Sequence, residues 1–378
     1  MINKTRIGVD ARFYGPVGKG LGRYTKEVLD RMIALMPEAE FVVFLSAGNF
    51  ADFQATDSRV TKVLLKTRWY TLAEQLVLPW LIWKYKITIF HSPHFNVPVF
   101  APCKLVVTIH DLILINYPTT RATRLGPVMY FVKQLGYKLV IWSAIKRAKL
   151  IFAVSEFTKQ DILRNFKIEA EKIIVTLEGV TSLEVANDSS DSVDLQKLGI
   201  KQPYLLYVGN AYPHKNLEGL VQMFAKLIVN HPEYFLVLVG RDDYFYTRVR
   251  DLVTQIGLAD KVLFPNYLSD RELVEVYKQA TLYIFPSFYE GFGLPPLEAM
   301  SHGLPVASSN QGSMPEILGE AAMYFDPGDQ DSMLNTISGA LVDENLRNQY
   351  RLRGYEQIKR YSWDDCAQIT VENLMRCL

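Results

Sequence analysis

The chain has 378 residues, with 41 Lys+Arg against 40 Asp+Glu, a formal net charge of +1 and 49% hydrophobic residues. That balance excludes a nucleic-acid binder, whose basic surplus is large, but not a small phosphorylated ligand that needs one or two local cations. Three cysteines (Cys103, Cys366 and Cys377), with no C-x-x-C pair, exclude a disulfide framework and a cysteine zinc site.

At roughly 150 residues per domain, this length predicts two domains, each able to bury its own core. The start is polar through Asn3, Lys4, Thr5 and Arg6, without a secretion signal, so the expected location is cytoplasmic. No window offers the roughly 18 unbroken apolar residues of a membrane span. Two stretches come closest, Trp69 to Ile89 and Val128 to Lys149. Each mixes Trp, Tyr and Leu with lysines. Each fits a helix lying on a membrane surface or an amphipathic helix packed on a sheet, and for the second both readings hold together.

Along the chain the pattern alternates strand and helix, the signature of parallel sheets. The first strand is predicted at Arg6–Val9, followed by a glycine-rich loop and a helix from Leu21 to Met36. Apolar strands recur at Phe41–Leu45, Ile87–His91, Leu105–Ile109, Leu150–Val154 and Ile173–Thr176. Ser155 is the expected N-cap of the helix reaching Asn165. Asn187 to Val193 reads N-D-S-S-D-S-V and is expected to be the interdomain linker. A second series then predicts strands at Tyr204–Val208, Phe235–Val239, Val262–Phe264, Leu282–Phe285, Val306–Ser308 and Met323–Phe325. Ser269 with Glu272 forms a capping box. The domains are expected at 1–186, with a return helix at 362–378, and at 200–358.

In open parallel sheets ligands bind beyond the carboxyl ends of the strands, so the segments just after strands are the ones to search. The first is Gly18-Lys19-Gly20-Leu21-Gly22-Arg23. It fits either a backbone approach to an anion or a tight strand-to-helix turn. It is not a G-x-G-x-x-G fingerprint, since Arg23 takes the last position, and not a P-loop. The second is His110-Asp111, where a neutral imidazole can accept a proton or bond a sugar hydroxyl, or simply cap a loop. His91 and His94 are weaker cases of the same kind. The third runs from Gly209 and Asn210 to Pro213-His214-Lys215-Asn216. Lys215 is placed where a helix begins, an electrostatically odd position unless an anion is present.

The fourth segment is the most informative: Pro286-Ser287-Phe288-Tyr289-Glu290-Gly291-Phe292-Gly293-Leu294-Pro295-Pro296-Leu297-Glu298. Glu290 is expected in a loop and Glu298 in the first turn of a helix. The glycines expose backbone N–H groups beside two carboxylates, which suit vicinal sugar hydroxyls. Asp329-Gln330-Asp331 is a formal D-x-D, better explained as a helix cap, so no metal site is expected.

These segments, in this order, resemble the retaining glycosyltransferase family 4 with its GT-B fold. Glu290 and Glu298 match the ends of its E-x7-E motif. H-S-P at His91–Pro93, T-I-H-D at Thr108–Asp111, A-V-S-E-F-T at Ala153–Thr158, P-H-K-N at Pro213–Asn216 and G-S-M-P-E-I-L-G at Gly312–Gly319 match as well. The resemblance implies an α/β architecture of two Rossmann-like domains facing each other across a cleft. A C-terminal helix from Ser362 would return to the N-terminal, acceptor-side domain. It implies that Glu298 holds the ribose, and that Glu290 with Gly291, Phe292, Gly293 and Leu294 holds the donor sugar and phosphate. Gly209 and Asn210 would flank the donor, and Lys215 would neutralise the diphosphate. Gly20 would admit the diphosphate, and His110 would lie near the anomeric carbon. Transfer would be metal-independent and without a cofactor. The family's arginine is replaced by Asn210, so either Lys215 acts with His214 or Arg241 contributes.

Within the family the chain resembles bacterial mannosyltransferases of surface-polysaccharide assembly. This implies GDP-mannose as donor, with UDP-glucose, UDP-GlcNAc and dTDP-rhamnose as alternatives, and a saccharide or lipid-linked saccharide acceptor. Residues 128–149 would supply peripheral contact at the inner face of a membrane. The rival readings are a nucleotide-sugar epimerase on the same architecture and a non-catalytic two-domain binding protein. The Glu290/Glu298 loop argues against both.

Overall fold

The computed structural model describes residues 5–118, 127–180, 193–265 and 268–378. They form two compact units. The first contains the chain up to Asn116, the stretch ending at Gly179 and the segment from Ser362 onward. The second contains Val180 to Tyr361 together with Tyr117. The predicted linker residues 187–192 lie outside the described residues.

In the first unit seven strands form one parallel sheet of order β3-β2-β1-β4-β5-β6-β7. They are β1 (Arg6–Asp10), β2 (Glu40–Leu45), β3 (Val60–Leu64), β4 (Ile89–Ser92), β5 (Lys104–Ile109), β6 (Leu150–Ala153) and β7 (Ile173–Val175). The inner strands are apolar on both faces because helices cover both sides of the sheet; Phe41, Phe44, Phe90 and Phe152 are fully buried. Strand β3 was not predicted. It is a sheet edge reading Val-Thr-Lys-Val-Leu, only Val63 of which is buried, so its apolar signal is thin. The helices are α1 (Lys19–Leu35), α2 (Leu72–Lys84), α3 (Ile113–Asn116), α4 (Pro127–Arg147) and α5 (Glu156–Asn165). Ser155 caps α5 as expected, accepting from the Thr158 N–H.

The second unit carries a six-stranded parallel sheet of order β10-β9-β8-β11-β12-β13. Its strands are β8 (Tyr204–Val208), β9 (Phe235–Val239), β10 (Val262–Leu263), β11 (Leu282–Phe285), β12 (Val306–Ser309) and β13 (Ala322–Phe325). Its helices are α6 (Leu217–Asn230), α7 (Tyr244–Gln255), α8 (Asp270–Gln279), α9 (Leu294–Ser301), α10 (Met314–Leu318), α11 (Gln330–Val342) and α12 (Glu344–Ile358). The Ser269/Glu272 capping box is present at α8. Asp329 caps α11, accepting from the N–H groups of Asp331 and Ser332, so the D-x-D serves helix initiation.

The last helix, α13 (Trp363–Arg376), belongs to the first unit and packs on α1. Ser362 caps it. Cys366, Ala367, Val371 and Leu374 are buried. Arg31 pairs with Asp364 at 2.5 Å, and Lys104 donates to the Cys377 and Leu378 carbonyls at 2.8 and 2.9 Å.

In each sheet the strand order reverses once, between β1 and β4 and between β8 and β11. These switch points open at the carboxyl ends of the strands, where loops diverge and leave room for a ligand.

Candidate active site

In the second unit, β11 delivers its loop at the switch point. Gly293 sits at φ +97°, and a Cβ there would lie 2.3 Å from the Met314 methyl carbon, so glycine is required. Gly312, at φ +67°, lets its segment press on the backbone of Glu290, which a Cβ would approach to within 2.9 Å. Ser313 N–H donates to the Glu290 carbonyl at 3.3 Å and its hydroxyl to the Phe292 carbonyl at 3.0 Å. The G-S-M-P stretch is thus the buttress of the Glu290 loop.

Lys215 meets that loop directly. Its Nζ lies 2.5 Å from Glu290 Oε1, both side chains being largely buried, and Phe288 N–H donates to the His214 carbonyl at 2.8 Å. The third and fourth segments therefore form one site, joined by an ion pair across 75 positions. One of the two placements expected here holds and the other is corrected. Lys215 ends a 3-10 turn, Pro213–Lys215, directly before Asn216, the N-cap position of α6, so it stands where a helix begins, as expected. Glu298 is the fifth residue of α9, beyond its first turn, because the helix starts at Leu294. Dipole stabilisation in a first turn therefore does not account for this carboxylate.

Glu298 is half-buried and accepts from the Tyr277 hydroxyl at 3.4 Å. Phe292 and Leu294 have buried side chains, leaving only their backbones for a ligand. Gly209 and Asn210 are held from below: Tyr246 and Tyr207 hydroxyls donate to their carbonyls at 2.8 and 2.7 Å. The Asn210 side chain accepts from the Tyr212 N–H at 3.3 Å, closing its own turn. His214 is pushed down to about 4 by burial and by the neighbouring Lys215 charge, so it is neutral and adds no second cation. Arg241 is exposed, just past β9.

In the first unit the expected glycine loop is instead the start of α1, with Gly18 at the N-cap position and Gly20 and Gly22 in the first helical residues, and its glycines divide by role. A Cβ on Gly18 or Gly22 would fall 2.2 and 2.1 Å from backbone oxygens, of Phe13 and Gly15. A Cβ on Gly20 would meet nothing. Gly18 and Gly22 are needed by the fold, whereas Gly20 leaves an open backbone.

His110 follows β5. Its Nδ1 lies 2.9 Å from Glu178 Oε1 and its Nε2 lies 3.0 Å from the Pro93 carbonyl oxygen. Tyr24 packs edge-on against the ring at 4.7 Å. Each ring nitrogen thus already has an oxygen of the protein as its partner. Asp111 accepts from the Ile113 N–H at 3.0 Å and shapes the turn. His91, 1% exposed and pushed down to about 3 by burial and by nearby His110, is a neutral core histidine bonded to Thr108. His94 Nδ1 accepts from the Asn96 N–H at 3.3 Å. Sequence reasoning quotes Glu178 only within the segment 177–183 that loosely matches the family's domain-crossing stretch and gives it no role in a site, and it missed a buried Asp10–Arg12–Glu74 network. No group of three metal-binding side chains occurs among the described residues.

Comparison with known proteins converges on one family. A model described as Glycosyltransferase Family 4 matches residues 18–181, and one described as Glycosyl transferases group 1 matches residues 191–357. The chain is 31% identical over 369 residues to O-antigen chain mannosyltransferase B of Escherichia coli, covering 93% of this chain and 94% of that one. It is 28% identical to O-antigen chain mannosyltransferase RfbU of Salmonella typhimurium, covering 80% and 77%. Among solved structures, sucrose-phosphate synthase from Thermosynechococcus elongatus superposes with a TM-score of 0.76 at 21% identity, covering 98% of both chains. WaaG, a glycosyltransferase of lipopolysaccharide biosynthesis, superposes at 0.74 with 16% identity, covering 97% and 98%. Both share the fold.

Proposed function

The chain belongs to the family 4, group 1 glycosyltransferases, and on that premise we propose that it transfers mannose from GDP-mannose to a saccharide or lipid-linked saccharide acceptor. The observation that carries the residue-level reading is the Lys215–Glu290 pair in the loop that also leads to Glu298. Relatives whose names specify mannosyl transfer support the choice of sugar.

Breaking a sugar–phosphate bond leaves negative charge on the diphosphate and positive charge on the ring. Lys215 and the loop N–H groups around Gly291 and Gly293 stabilise the first. Glu290 accepts from sugar hydroxyls and Glu298 from the ribose. Gly20 offers open backbone to the diphosphate. Transfer proceeds with retention by front-face attack, the leaving phosphate oxygen taking the acceptor's proton, so no strong protein base is needed and no metal takes part. His110 acts as a fixed ring beside the reacting sugar.

A thermal-shift screen of nucleotides tests this. GDP at a hundredfold its dissociation constant is expected to add about 2.7 kcal/mol of stability to the wild type, and Glu298→Ala is expected to lose that response. A response to a uridine or thymidine nucleotide instead would replace the donor; no response to any nucleotide would sink the site assignment.

We further propose that α4 touches the membrane that carries the acceptor. No helix among the described residues is long and apolar enough to cross a membrane. Ile141, Ala144 and Ile145 of α4 pack into the core, while Phe131, Leu135, Leu139 and Trp142 form an exposed stripe on its outer side, beside Lys138 and Lys146. Such a face suits an anionic bilayer surface. In flotation, the protein is expected to rise with vesicles containing anionic lipid, and Phe131→Ser with Leu135→Ser to stay behind. Wild type left at the bottom with every vesicle would end the membrane reading.

A further inference from the structure

We propose that Glu178 is a positioning residue for the transfer, acting through His110. This rests on the reading of His110 as part of the reacting site. Glu178 is 4% exposed, and among the described residues its ion-pair partner is His110 rather than a lysine or arginine. A carboxylate so buried is costly unless it makes a strong, directed contact. The contact it makes, 2.9 Å to Nδ1, lies on the ring edge away from the 3.0 Å contact of Nε2 with Pro93. Oxygen contacts at both ring nitrogens oppose rotation of the imidazole, and Tyr24 abuts the ring edge-on. The ring is thereby held in one orientation by the protein itself.

The backbone around Glu178 is itself clamped. On one side, Thr176 N–H donates to the Ala153 carbonyl at 2.8 Å, tying the segment to the end of β6. On the other, Gly179 lies so close to Trp363 that a Cβ would fall 2.3 Å from the Trp363 nitrogen. Tyr24 contacts both His110 and Trp363, at 4.7 and 6.0 Å between ring centroids. Gly179 is also the residue at which the chain leaves the first unit. The crossing segment thus serves as the mount of the histidine as well as a connection.

The test compares His110→Ala, Glu178→Ala, Glu178→Gln and the double alanine variant by initial rates with GDP-mannose and acceptor. Ring resonances are followed in 15N-histidine-labelled protein. Glu178→Ala is expected to lower kcat about a hundredfold, the scale of a small misplacement, with donor KM and the GDP thermal shift unchanged. Glu178→Gln keeps an oxygen that accepts from Nδ1 and is expected to recover most of the rate. The double variant should be no slower than His110→Ala, as expected of residues acting as one unit. The His110 ring signals should move in Glu178→Ala and hold near wild type in Glu178→Gln. An inactive His110→Ala beside a fully active Glu178→Ala would overturn the role of Glu178 while leaving the site reading intact. Losses that multiply in the double variant would overturn it too, and a fully active His110→Ala would remove both.

Discussion

Lys215→Ala is expected to lower kcat about a thousandfold, the upper range for removing one charged stabiliser of a developing anion. The reason lies in the partner that Lys215 holds. Its ammonium is 2.5 Å from Glu290 and both groups are mostly shielded from water, so the pair is stronger than a surface ion pair. The phenyl ring of Phe285 lies 5.7 Å away on another side. Glu290 therefore neutralises the cation that, on the proposed reading, the diphosphate needs. On that reading a diphosphate would compete with Glu290 for Lys215, and the released carboxylate would become available to sugar hydroxyls. This exchange predicts opposite effects on product binding. Lys215→Ala should weaken GDP binding, whereas Glu290→Gln, which keeps the shape but removes the competing charge, should tighten it. Both should slow transfer. Calorimetric titration with GDP beside initial rates reads all four quantities. Equal weakening of GDP by both variants would mean that the ion pair persists in the complex and that the exchange is wrong. Since Lys215→Ala also leaves Glu290 with a partner missing, its unfolding midpoint should be recorded, with a loss of about 1–3 kcal/mol expected.

What could be seen in advance follows from the range of each signal. The buried strands β8 and β11 show themselves as unbroken apolar runs, because both faces of a parallel sheet are covered. The caps at Ser155, Ser269 and Asp329 are local, set within three residues of the helix start, and are legible for that reason. Edge strand β3 is half-exposed and carries Thr61 and Lys62, so its composition hides it. The donor-loop motif can be recognised from its spacing. That Lys215 reaches Glu290 across 75 positions, however, depends on β8 and β11 being neighbours in the sheet, which no local pattern states. Glu178 is hidden for the same reason: it lies in an irregular segment 68 positions from His110, and only the order β4-β5-β6-β7 brings them together. Conversely, three glycines in five residues around Gly20 look alike in sequence. Only contact with the Phe13 and Gly15 carbonyls separates the two that the fold needs from the one left open.

The largest effect on stability is expected from Arg12→Met. Arg12 follows β1 at its carboxyl end and is 1% exposed. Its Nε and Nη2 donate to Asp10 at 2.8 and 2.6 Å, and Nη2 lies 2.5 Å from Glu74. Glu74 in turn accepts from the Asn96 amide at 2.8 Å and the Tyr70 N–H at 2.8 Å. Burial disfavours the guanidinium charge, yet the pull of Asp10 and Glu74 outweighs it and holds Arg12 above its ordinary pKa. The network joins the loop after β1 to the start of α2 and the loop after β4, so it fixes the switch point of the first sheet. Methionine fills a similar volume but leaves two buried carboxylates facing each other without a cation. Breaking a buried pair by removing one partner costs about 3–5 kcal/mol, a large share of the 5–15 kcal/mol that holds a typical protein folded. A triple variant, Arg12→Met with Asp10→Asn and Glu74→Gln, removes the unpaired charges and should recover much of that loss. Urea unfolding of the three proteins decides the matter. If the single variant is as stable as wild type, the network is not what holds the switch point. If the triple variant is no better than the single, the loss comes from the packing of Arg12 against Trp69 rather than from its charge.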